Sequence, residues 1–423
     1  MNGSLRFLLL AAALVIAGCS AGSSSGVPTS GAPLQSGPSA GHFVPTWEAK
    51  HQARRVCKAL AGGVQCHVLV VTKGIKPDCS PSGGSCGWRP IDLQTRYNLS
   101  GSLGKGAGTV VALIELGDLP GASSDLSTYR SAFGLGTATF AKYNESGQQS
   151  NYPESCEDFG WCVETDLDIQ MVSASCPECS IALIEGGNCG GVVCGLENAE
   201  AAAVKIGAKI LSNSWGCSSF NYGENCGDPN FPNFFNTPGI AYLASSGDSG
   251  YPEIEWPAAL ANVLAVGGTQ LAQSGSTYSE TVWDGAGAGC ATTTPKPKWQ
   301  HDPDCSGKTI SDISAEAGCE PGVAEYIGMY GGWTTVCGTS VAAPLTAGIV
   351  AIGGHLAKID RGGESFWKLT GKRRKAELHA ITSGSDGSCG NYICEAGLSK
   401  KDGGYKDYSG PAGWGSPNGV GAY

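Results

Sequence analysis

Histidine is scarce in this chain of 423 residues, which has six: His42, His51, His67, His301, His355 and His379. His67 falls in the apolar run Cys66-His67-Val68-Leu69-Val70 and His355 follows Gly353-Gly354. Neither setting is that of a general base, and no histidine clusters with the dispersed cysteines in a zinc pattern. Charge is scarce as well, with charged residues at 15% and a formal net charge of −10. That balance argues against a nucleic-acid partner, and for a protein whose self-repulsion changes little as pH falls. The one basic cluster is Arg361, Lys368, Lys372, Arg373, Arg374 and Lys375. It reads as a solvated helix face, with contact to an anionic envelope as the lesser reading. The N-terminal apolar run, residues 7–17, is too short to span a bilayer, and there is no internal repeat.

That short run has the length of a secretory signal, and Ile16-Ala17-Gly18-Cys19 matches the bacterial lipobox. Lipidation of Cys19 is therefore expected, with ordinary cleavage nearby as the alternative. Residues 20–50 form a Ser/Gly/Pro-rich tether, 51–87 a cysteine-bearing lead-in and 88–423 the main domain. The chain has 19 cysteines, and removing Cys19 leaves 18, an even number suited to disulfides in an oxidising compartment. They fall into close neighbours (57 and 66, 79 and 86, 156 and 162, 176 and 179, 189 and 194, 217 and 226, 290 and 305, 319 and 337, 389 and 394), which suggests local pairing. The expected location is the bacterial cell envelope, as a lipid-anchored or secreted monomer.

Apolar runs without alternation at 109–116, 180–184, 209–212, 240–244 and 263–266 predict strands buried on both faces. Helical patterns at 164–175, 196–206 and 344–352 alternate with them. The expected fold class is α/β, doubly wound, with a mostly parallel sheet and helices on both faces. Two strands run into polar turns, Ser212-Asn213-Ser214-Trp215-Gly216 and Ser245-Ser246-Gly247-Asp248-Ser249-Gly250. In open α/β sheets that edge is where sites are built. Upstream, Glu164 and Asp168 lie four apart and project from one helix face, so their charges repel and their titrations couple. Downstream, Gly338-Thr339-Ser340-Val341-Ala342-Ala343-Pro344 places a serine at the start of a helix after a glycine turn.

With these four motifs in this order, residues 88–423 resemble the sedolisin family, the serine-carboxyl peptidases of subtilisin-like fold. The resemblance implies Ser340 as nucleophile, Glu164 as general base, Asp168 as its partner and Asp248 in the oxyanion hole. It further implies that the backbone of Ser214, Trp215 and Gly216 receives an extended peptide, although Trp215 reads equally well as a packed core aromatic. Glu115 stands where subtilisins carry their catalytic aspartate, lacks the following Ser/Thr-Gly, and is set aside as a decoy. The chemistry is coherent. An imidazole is charged in acid, whereas a glutamate still accepts a proton there, and a protonated aspartate can donate to an oxyanion.

The expected function is acid-acting endopeptidase cleavage of protein or peptide substrates. A catalytically silent lipoprotein that binds peptides on the same fold is the alternative. Two family traits are absent at matching positions. A long propeptide domain has no room between the tether and residue 88. The two calcium-binding aspartates are replaced by Ala380 and Ser409, beside Ile381, Gly413 and Gly415, so no cofactor is expected and calcium affinity should be lost.

Overall fold

The computed structural model describes residues 43–58, 60, 63–72, 87–188, 192–218 and 224–423. The first of these contain helix α1 (Thr46–Ala49) and strands β1 (Ala53–Arg55), β2 (Val64–Cys66) and β3 (Leu69–Val71). Helix α2 (Pro90–Arg96) then leads to β4 (Val110–Leu116), and α3 (Ala122–Phe133) to β5 (Thr139–Asn144). Helices α4 (Cys156–Phe159) and α5 (Cys162–Ser175) precede β6 (Ser180–Gly186), and α6 (Val192–Lys205) precedes β7 (Ile210–Asn213). After β8 (Trp215–Ser218) come β9 (Ala241–Ser245), β10 (Glu255–Trp256), β11 (Val263–Ser274) and β12 (Thr277–Val282).

The central sheet runs β12-β11-β9-β7-β4-β6-β5. Every pairing in that order is parallel except β11 with β12. The strands are the apolar runs of the sequence, and β4 buries Val111 through Leu116 completely or nearly so. A strand covered on both faces has no solvent side to make polar, hence the missing alternation. Beyond the sheet lie the hairpin β13 (Gly289–Pro295) and β14 (Gly307–Ile310), then β15 (Ile313–Glu316), which pairs with β11. The next hairpin, β16 (Val323–Ile327) and β17 (Gly332–Cys337), feeds helix α7 (Thr339–Gly353). Helices α5 and α7 pack on each other and on the sheet, and α6 packs on β4 and β6.

Three differences from the sequence reading carry weight. Helix α7 begins at Thr339, one residue before Ser340 and five before the helical pattern at 344–352, and holds Pro344 inside it. Pro344 is the sixth residue of the helix, and because it has no N–H it leaves the carbonyl four residues back, that of Ser340, without its intrahelical donor. Helix α5 starts at Cys162, two residues ahead of the expected pattern, and is buried on every side, acids included. Residues 43–72 join the same body as the rest: His42–Tyr423 is one unit, and β3 lies between β1 and β17 in a four-stranded sheet.

Seven of the expected cysteine pairs are formed: 57–66, 156–162, 176–179, 217–226, 290–305, 319–337 and 389–394. Cys79, Cys86 and Cys189 lie outside the described residues, as does Cys19, while Cys194 is itself disulfide-bonded. Among the described residues no helix is long and apolar enough to cross a membrane.

Candidate active site

Ser340 is the second residue of α7, behind Gly338 at φ 114°. Gly338 must be glycine, for a Cβ there would lie 2.0 Å from the His67 carbonyl oxygen and 2.7 Å from Asp248 Oδ2. The Ser340 hydroxyl donates to Glu164 Oε2 at 2.8 Å and lies 3.1 Å from the Ser214 carbonyl. Glu164 is in the first turn of α5 and Asp168 in the second, where Asp168 Oδ1 accepts the Ser214 hydroxyl at 2.7 Å. The packing of α5 on α7 thus brings together motifs 176 residues apart.

Glu115, set aside on sequence, belongs to this cluster. It is the last but one residue of the buried strand β4 and accepts Trp161 Nε1 at 2.8 Å. Since neither its Oε1 nor Asp168 Oδ2 meets another donor, the two carboxyls can bond only by sharing a proton. Its one sequence signal is an acidic residue inside an apolar run, which a buried strand admits only when the acid is paired or protonated. Burial, then the Asp168 and Glu164 charges, hold the Glu115 carboxyl well above the usual carboxylate range. Burial and the Asp168 charge do the same to Glu164, and burial pushes Asp168 up to about 7. Three such carboxyls in contact share protons and titrate as a set.

Asp248 follows the turn after β9. Its Oδ1 accepts the Thr339 N–H at 2.8 Å and the Thr339 hydroxyl at 2.9 Å. Its Oδ2, fully buried beside Gly338, has no hydrogen-bond partner. Burial raises this carboxyl to about 7, so in acid it carries a proton that Oδ2 can donate. The arrangement can pass a proton from a serine to a carboxylate and offer a neutral acid to a developing oxyanion.

Among the described residues no histidine serves Ser340. His67 is wholly buried nearby, but its Nδ1 pairs with Ser245 Oγ at 2.6 Å and its Nε2 with Glu255 Oε2. Burial lowers its pKa. The backbone of Ser214, Trp215 and Gly216 is paired with residues 65–67, while the Trp215 ring lies in the core against Phe231 and Phe235.

The positions that correspond to a calcium site do not fit a hard dication. Ile381 joins Val282, Ala396 and Ala412 in an apolar cluster, Ser409 bridges to Gly413 by backbone, and no carboxylate is contributed at Ala380. Ser409 Oγ is a buried oxygen without a partner, and a lone neutral hydroxyl does not offset the dehydration of calcium. Among the described residues no three acidic, histidine or cysteine side chains converge as metal ligands.

Residues 134–398 match the Subtilase family (Peptidase_S8). Kumamolisin of Bacillus sp. (strain MN-32) is 29% identical over 301 residues, 64% of this chain and 53% of that protein. Sedolisin of Pseudomonas sp. (strain 101) is 28% identical over 377 residues, 79% of this chain and 60% of that protein. The chain therefore spans 53% and 60% of the length of these two relatives. Among solved structures, Pseudomonas sedolisin (a serine-carboxyl proteinase) complexed with two molecules of pseudo-iodotyrostatin superposes with a TM-score of 0.66 at 27% identity. It covers 79% of this chain and 96% of that one.

Proposed function

From the premise that the chain belongs to the subtilase family, on its sedolisin branch, we propose that it is an acid-acting serine-carboxyl endopeptidase. In this reading Ser340 Oγ attacks the scissile carbonyl while its proton passes to Glu164. Asp168, held by Ser214 and Glu115, keeps the Glu164 carboxyl oriented and tuned. Protonated Asp248 donates from Oδ2 to the oxyanion, and Glu164 returns its proton to the leaving amine. Water then repeats the sequence on the acyl-enzyme. Ser214 and Gly216 offer backbone groups to an extended peptide by strand addition.

The observation that carries the reading is the 2.8 Å contact between Ser340 Oγ and a buried glutamate, with an unpartnered carboxyl oxygen of Asp248 across the same Gly338 turn. Peptide hydrolysis at pH 3–7, assayed at enzyme concentrations high enough to detect slow turnover, tests it. Ser340→Ala and Glu164→Gln should each lower kcat by roughly a thousandfold or more, and the double variant should be little worse. Near-normal rates in Glu164→Gln would sink the mechanism.

A further inference from the structure

We infer that residues 64–71 occupy the cleft as an extended peptide would and remain there, a resident inhibitor strand that presents its own His67–Val68 bond to Ser340. The inference rests on the peptidase reading above.

Strand β2 lies antiparallel on β8, with Val64 opposite Cys217, Gln65 opposite Gly216 and Cys66 opposite Trp215. The next N–H, that of His67, donates to the Ser214 carbonyl at 3.1 Å, the same oxygen that lies 3.1 Å from the Ser340 hydroxyl. Past Val68 the chain leaves β8 and pairs with β17, Leu69 opposite Cys337 and Val70 opposite Val336. One continuous segment therefore spans the two strands that flank the reactive serine. The His67 carbonyl oxygen lies against Gly338, beside the unpartnered Asp248 Oδ2.

The side chain of His67 fills a pocket made for it. Ser245 and Glu255 take its two nitrogens, and Gln65 Nε2 donates to the other Glu255 oxygen at 3.3 Å. Gly216 leaves the room, since a Cβ there would lie 2.0 Å from Glu255 Oε2 and 2.9 Å from His67 Cε1. An incoming peptide needs the same backbone partners and the same pocket, so it competes with a strand that is already tethered. Tethering raises the effective concentration of the occupant to the millimolar range or beyond.

Both sides of the His67–Val68 bond are anchored, which distinguishes a resident strand from a removable leader. Cys66 is tied to Cys57, and β3 is clamped between β1 and β17. Trp47 is buried with Leu69, Val71 and Cys337, and its Nε1 donates to the Asp248 carbonyl at 2.9 Å. If Ser340 Oγ bonds to the His67 carbonyl carbon, the Ser340 proton passes through Glu164 to the Val68 nitrogen as the C–N bond breaks. The Val68 amine stays clamped beside the ester, and the reverse steps re-form the amide and return the proton to Ser340. Proximity of that order favours religation over hydrolysis.

The test compares the full chain with two unlocked variants, His67→Pro, which removes the N–H that bonds the Ser214 carbonyl, and Cys57→Ser/Cys66→Ser, which opens the tie. Each should raise kcat/KM on a fluorogenic peptide library in acid by about tenfold or more, and adding Ser340→Ala should abolish the gain. The unaltered chain should keep the His67–Val68 bond intact by mass spectrometry after incubation in acid. Folded variants no faster than a parent that does turn over would overturn the inference and leave the peptidase reading standing. Folded variants and parent all inactive would remove the peptidase reading, and the inference with it. Hydrogen exchange on the unaltered chain needs no variant. The His67 amide should be as protected as β7, and exchange within seconds would overturn the residency.

Discussion

Burial favours the neutral form of a whole group of carboxyls here, so Glu164 can accept the serine proton only in the protonation state in which the shared protons sit on Asp168 and Glu115. Asp248 is raised to about 7 by burial, so it is a hydrogen-bond donor below that value and an unpaired anion above it. Activity should therefore fall as pH rises through about 7. Asp248→Asn keeps a donor that does not titrate, so it should retain part of the activity and lose much of that fall, which a pH–rate profile would reveal. A peak at alkaline pH in the parent would count against the whole scheme. Glu115 acts at one remove. Glu115→Ala leaves Trp161 Nε1 and Asp168 without their partner and should lower kcat by about tenfold or more. Glu115→Gln, which can still donate to Asp168 and accept from Trp161, should recover most of it and shift the pH profile.

At the scale of elements, the site depends on α5 staying buried with its acids neutralised by proton sharing. Glu164 and Glu115 are held well above the ordinary range, Asp168 and Glu255 are raised to about 7 and Glu185 and Glu253 to about 8, in each case chiefly by burial. A carboxyl with a higher pKa folded than unfolded binds more protons in the native state. Its contribution to stability is complete in acid and is lost as pH rises from about 4 through 7 to 8. Buried His67, whose pKa is lowered, works the other way below about 6.5 but is one group against several. The melting temperature should thus be higher near pH 4.5 than at pH 8, by about 5 °C or more. A flat or opposite profile in calorimetry would contradict the burial of these acids.

For the whole molecule, stability should rest on disulfides and not on metal. Seven cross-links close short loops in the described residues, Cys389–Cys394 among them, beside positions where carboxylate ligands are missing. A chelator should leave the melting temperature unchanged, because only a ligand bound to the native state raises it. A reductant should lower it by well over 5 °C, at about 2–4 kcal/mol for each link broken. A chelator-induced drop reversed by calcium would mean that another acidic residue has become a ligand. Cys19 lies outside the described residues, and the proposed lipid anchor is tested there. Cys19→Ser should abolish lipid labelling and release the protein from the envelope with its peptidase activity intact.

The sheet was legible because burial on both faces forces continuous apolar runs, and such runs are local in sequence. The four motifs were legible for a similar reason, since each sits at one strand edge or one helix start and its residues are neighbours in the chain. The local cysteine pairs followed from spacing, and the missing calcium aspartates from identity alone. What depends on two distant segments meeting was not legible. Glu115 looked like a decoy because its partners, Trp161 and Asp168, come from other elements. His67 looked like a stray core residue because its partners, Ser245 and Glu255, lie more than 170 residues away. The lead-in looked like a separate preface because a strand's pairing partner is not written in the strand itself. Only the packed chain places β2 on β8 and β3 on β17, since hydrogen bonding between backbones is indifferent to side-chain identity. The register is decided by where the surrounding core holds each segment.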